Sequence, residues 1–203
     1  QGGLRSWTGS ISITADEADF LGGAASVKAP GSLTIKASTD VWTYRLGTSA
    51  ETGGGGVADP LIAPEMFDLT TRDLAALADG FQHITIGRPS AGNLFRLGDA
   101  FNMTTVKATG AARIVDAGIK DPLTLLTDSL IVEGDFRAPL DPITITATTA
   151  EIRKVNLHTP NNSTPDSGLT ASSLTLNLQT ALQVGGWLAG TADVAISVPA
   201  AAA

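Results

Sequence analysis

Four carboxylates, Asp121, Glu133, Asp135 and Asp141, fall within one short stretch that also holds Arg137. A glycoside hydrolase needs two carboxyl groups about 5 to 10 Å apart, one to protonate the leaving oxygen and one to attack or to activate water. An arginine beside them could clamp an acidic sugar. Two of the four stand as Asp121-Pro122 and Asp141-Pro142, each directly before an alternating apolar stretch, and Asp-Pro there is an ordinary turn initiator. The turn reading outweighs the catalytic one, and the sequence is expected to hold no catalytic residues. His83 and His158 are the only histidines, cysteine is absent, and neither histidine has a second ligand at short spacing, so no metal or other cofactor is expected. The run Gly53-Gly54-Gly55-Gly56 with Asp59 is one imperfect copy of a glycine-rich calcium repeat, which needs successive copies to supply enough oxygens. No nucleophile elbow, phosphate loop or dinucleotide fingerprint is present.

The large aromatic residues offer a different chemistry. Trp7, Trp42, Tyr44 and Trp187 would stack on sugar rings if they faced outward, and would fill or cap a core if they faced inward. Trp42 and Tyr44 share a parity and so point to one side of a strand. Standing beside a glycine-rich loop, they are the best candidate contact for carbohydrate or a partner. Core packing beneath that loop is the competing reading and weighs more.

Composition narrows the classes. Hydrophobic residues make up 43% and charged residues only 16% of the 203, so the chain folds but builds its surface from Thr, Ser, Asn and Gly. A net charge of −7 leaves too few clustered cations for nucleic acid. No stretch is long and apolar enough for a membrane span, and the N-terminus does not read as a signal peptide. Gln1 and Ala203 read as cut points in a longer chain, or as the ends of a processed product.

The elements that would position these residues are strands. Ile11-Ser12-Ile13 and Leu33-Thr34-Ile35 alternate strictly and lie about 22 residues apart. Ile84/Ile86, Thr104/Val106, Leu123/Leu125 and Ile143/Ile145 recur at about 20, as do Leu174/Leu176 and Val194/Ile196. Shorter strands stand between them at Arg113-Ile114-Val115, Leu130 to Glu133 and Glu151 to Val155. A repeat of about 20 residues is too short for a βαβ unit or a propeller blade and suits one coil of a parallel β-helix, with Ile, Leu and Val stacked inside and Thr and Ser laddered outside. Alternation and turn density alone would also permit a β-sandwich interaction domain. One short helical insertion is expected near 70–79, with Thr70 as N-cap, Asp73 at N3 and Gly80 ending it. Polar excursions are expected at about 47–64 and 158–168. The expectation is all-β, a single β-helix segment over 1–203.

The run Asp73 to Arg88, with its Leu-Ala-Ala-Leu-Ala-Asp-Gly-Phe core and Ile84-Thr85-Ile86-Gly87, resembles a segment of very large bacterial surface proteins of the filamentous haemagglutinin group. Leu123-Thr124-Leu125, Ile131 to Ala138 and Ile143 to Ala147 resemble the repeat of those proteins, and Ala15 to Gly23 resembles the element that precedes it. The resemblance spans roughly residues 10–150 and lapses after 155. It implies a right-handed parallel β-helix in an extracellular or cell-surface adhesin or filament, without an active site. Expected partners are neighbouring coils of a longer chain or copies of itself, with carbohydrate or a cell surface as further contacts. A polysaccharide lyase or hydrolase on the same scaffold is the alternative.

Overall fold

The structure, a computed structural model, describes residues 3–15, 18–38, 43–48, 66–88, 94–97, 114–116, 119–132, 135–138, 141–152, 168–185 and 187–198. It is mostly β. The strands are β1 (Leu4–Arg5), β2 (Ile11–Ala15), β3 (Val27–Lys28), β4 (Leu33–Ala37), β5 (Thr43–Thr48) and β6 (Met66–Thr70), then helix α1 (Thr71–Ala76), β7 (Ile84–Gly87), β8 (Leu94–Leu97) and β9 (Ile114–Asp116). After these come β10 (Leu123–Leu126), β11 (Ser129–Val132), β12 (Asp135–Ala138), β13 (Ile143–Ile152), β14 (Gly168–Val184) and β15 (Trp187–Ser197). Every pairing among them is parallel, which an antiparallel sandwich would not give.

The alternating residues explain the sheet. β2, β4, β7, β10, the first half of β13, the middle of β14 and the end of β15 stack side by side. Ile11, Leu33, Ile84, Leu123, Ile143, Leu174 and Val194 are register neighbours in one column, and Ile13, Ile35, Ile86, Leu125, Ile145, Leu176 and Ile196 in a second. Leu33 to Leu174 and Ile35 to Leu176 are fully or almost fully buried. Between the two columns runs an outward row, Ser12, Thr34, Thr85, Thr124, Thr144 and Thr175, and the β-branched threonines in it suit a pleated, half-buried surface. A second stack, β6-β5-β8-β11, continues into the far half of β13, and a third joins β9, β12 and the start of β14. β13 and β14 pass from one stack to the next at register shifts beside Thr148 and Ser172. At the first of these corners the Asp128 carbonyl accepts from both Thr148 and Thr149 amides at 2.9 Å. All three stacks share one core, to which Leu46, Leu69, Leu130, Val132, Ile152 and Ala171 also belong.

Three expectations need correction. β7 pairs directly with β10, so no strand through Thr104 and Val106 stands between them; those two residues lie outside the described residues. The helix is shorter than 70–79, because Leu77 has already returned to extended backbone and bridges Val27 as part of the sheet. Gly80, with φ of 111°, closes the turn after that bridge instead of the helix itself. The sequence carried no expectation for β6, which lies at the outer edge of its stack beyond β5, although it follows β5 in sequence, and β8 takes the inner place. The chain thus steps back before α1 and then moves on to β7.

The capping box does form: Thr70 Oγ1 accepts from the Asp73 amide at 3.2 Å, and Asp73 Oδ2 accepts from the Thr70 amide at 3.0 Å. Leu74, Leu77 and Phe81 are buried, although only Leu74 lies in the helix and no common helical face joins them. Of the excursion expected at 47–64, Gly47 and Thr48 belong to β5 and the rest lies outside the described residues, as does 158–167; Gly168 begins β14. β14 and β15 keep the parallel register well beyond residue 155.

Candidate functional site

Of the aromatic pair, only Tyr44 lies among the described residues. Tyr44 is 0% exposed, its ring 5.3 Å from that of buried Phe67, and its Oη accepts a hydrogen bond from the Ala37 amide at 2.6 Å. Burial raises its pKa, against the opposing pull of that amide and of the Arg88 charge. Same-side parity could not say which side faces the core; Tyr44 packs inward, so it is removed from the candidate contact. Trp42 lies outside the described residues.

Of the four carboxylates, Asp121 and Asp141 come to neighbouring corners, and Asp135 lies in a different strand. Asp121 and Asp141 stand two residues before the register partners Leu123 and Ile143, and the Leu123 amide donates to the Pro142 carbonyl at 2.9 Å, so the two Asp-Pro corners are equivalent. Asp121 is buried; its Oδ1 accepts from the Gly80 amide at 3.0 Å, while Oδ2 is buried without a hydrogen-bond partner. Burial pushes its pKa up, the amides of Gly80 and Phe81 pull it back, and the Asp79 charge adds to the rise. Asp141 is raised too, first by burial and then by the charges of Asp121 and Asp79. Asp135 and Arg137 lie in β12, at register positions beside Gly168 and Thr170, and Glu133 lies outside the described residues. Among the described residues no group of three His, Cys, Asp or Glu side chains is placed to hold a metal. His83 sits just before β7 with Nε2 at 2.8 Å from Thr124 Oγ1, as an outward residue bridging neighbouring strands.

A surface the sequence did not single out lies where β1, β3 and the turn after α1 meet. Val27 is the register partner of Leu4 and bridges Leu77, so three segments run alongside one another. The Ser6 amide donates to the Lys28 carbonyl and the Ala78 amide to the Val27 carbonyl, both at 2.9 Å. Gly3 permits this closeness, because a Cβ there would stand 2.6 Å from the Ser26 carbonyl oxygen. The segments frame a groove of about 400 Å³ lined by Arg5, Ser6, Trp7, Lys28, Asp79 and Gly80, with Ala29 and Pro30. Trp7 is 83% exposed. Arg5 and Lys28 are direct register partners, two cations side by side on adjacent strands. The one signal for this arrangement in the sequence is that Leu4-Arg5 and Val27-Lys28 precede their alternating strands at nearly equal distance.

Compared with protein-family models, with curated proteins and with solved structures, the chain finds no match.

Proposed function

We propose that this chain is a segment of right-handed parallel β-helix from a large secreted or surface-displayed bacterial protein, which builds a rod-like or filamentous scaffold, binds through its loops and catalyses no reaction. The observation that carries the reading is the pair of apolar columns from Ile11 to Val194 and from Ile13 to Ile196, kept in register across parallel strands. Such stacking buries one continuous core without helices on either face and extends by repetition along one axis. The last strand supports association: Val194 and Ile196 occupy core columns yet are 39% and 47% exposed, ready for a further coil or another copy. The resemblance of residues 73–88 to large bacterial surface proteins points the same way.

Electron microscopy of the intact parent protein tests the scaffold, with rods or filaments as the expected result and isolated globular particles as the result against it. Incubation with acidic and neutral glycans tests the absence of catalysis. Release of unsaturated or reducing ends at steady turnover would replace the adhesin with a lyase or hydrolase.

A further inference from the structure

We propose that the groove between β1, β3 and the turn at Asp79 and Gly80 binds an acidic saccharide, with Trp7 stacking on a sugar ring and Arg5 and Lys28 holding its carboxylate. Three observations converge on this chemistry. Two like charges placed opposite one another on neighbouring strands repel. Among the described residues neither cation is ion-paired with a carboxylate, and both are exposed, so a bound anion would relieve that repulsion. On a chain of net charge −7 such a pair is a local exception to the surface field.

The second observation is Trp7. An indole exposed at 83% beside a concavity offers a flat apolar face to the C–H side of a pyranose, and an indole N–H can donate to a hydroxyl. The third is the polar remainder. Ser6 Oγ accepts from the Gly9 amide at 3.2 Å and keeps its own proton to donate, and Asp79 also lines the groove, its carboxylate an acceptor for hydroxyls. A bare inorganic anion would use the cations and leave Trp7 and Asp79 idle. A neutral sugar would use Trp7 and leave the cations repelling. A volume of about 400 Å³ falls within the range of small-molecule sites, about 300 to 1,000 Å³.

This inference names the ligand class for the adhesive half of the proposed function and rests on that half alone, so a monomer in solution suffices to test it. Isothermal titration of the chain at low ionic strength with trigalacturonate, a hyaluronate tetrasaccharide, maltotriose and sodium sulfate is the experiment. At least one acidic saccharide should bind, roughly tenfold or more tightly than maltotriose or sulfate. Trp7→Ala and the double variant Arg5→Gln/Lys28→Gln should each weaken that binding roughly tenfold or more, and added salt should weaken it for the wild type. All three residues are exposed, so circular dichroism should be unchanged in both variants. Equal binding by the variants, equal binding of maltotriose or sulfate, or no binding of either acidic saccharide would overturn the assignment. None of these outcomes bears on whether the parent protein forms rods, which microscopy decides separately.

Discussion

The carboxylate of Asp73 in the short helix accepts a hydrogen bond at 2.9 Å from the amide of Phe20, 53 residues earlier. Its other oxygen holds the Thr70 amide, so a single fully buried side chain closes the helix start and fastens the segment around Phe20 to it. Asp73→Ala would strip both amides of their acceptor. Leaving these two donors without their acceptor costs about 1 to 3 kcal/mol, while Thr70 Oγ1 still caps the backbone amide at 73, and urea denaturation should show the midpoint falling accordingly. An unchanged midpoint would mean that neither contact matters to folding.

Tyr44→Phe keeps the ring packed on Phe67 and removes only the oxygen that serves the Ala37 amide. The expected loss of stability is about 1 to 3 kcal/mol, with glycan binding untouched. Weaker glycan binding at unchanged stability would return Tyr44 to the surface role that its parity allowed.

Asp121 and Asp141 both have pKa values raised above 3.8 in the folded chain. A carboxyl raised by folding binds its proton more tightly in the native state, so its stabilising effect is complete below the unfolded value and is lost as pH rises through the folded one. Stability should therefore increase when the pH is lowered from neutral toward 4, as far as these two groups govern it. Asp121→Asn keeps an acceptor for Gly80 and removes the charge, so thermal unfolding across that range should become flatter than in the wild type. A variant with the same slope would show that Asp121 does not titrate there.

Val194→Lys with Ile196→Lys alters two exposed residues at the last described strand. Where that strand receives a further copy, two charges on the open column should abolish association in sedimentation while leaving monomer unfolding within about 0.5 kcal/mol of the wild type. Persistent assembly would move the contact elsewhere.

Period-2 alternation located the core directly: Ile84, Ile86, Leu125, Ile143 and Ile145 are buried because one face of each strand had to be apolar throughout. Thr70 and Asp73 announced the helix start for an equally local reason. What the alternation could not carry was the order of strands. Val106 shares the pattern of Ile86 and Leu125, yet those two pair directly, and the step back that sets β6 outside β5 leaves no local trace. The groove was hidden for a related reason. Arg5 and Lys28 are unremarkable charges until β1 and β3 fall into register, and Asp79 joins them only through the Val27 to Leu77 bridge.

The steps between register partners are unequal. Leu123 to Ile143 is a short one, Leu33 to Ile84 is more than twice as long, and both close on the same two columns. Alignment is thus enforced by neighbours in the ladder and not by the lengths of chain that join them, and longer connections add little closure entropy. New sequence can therefore accumulate at a corner over evolutionary time without disturbing the frame, and a lineage can diversify what it displays while inheriting an unchanged support.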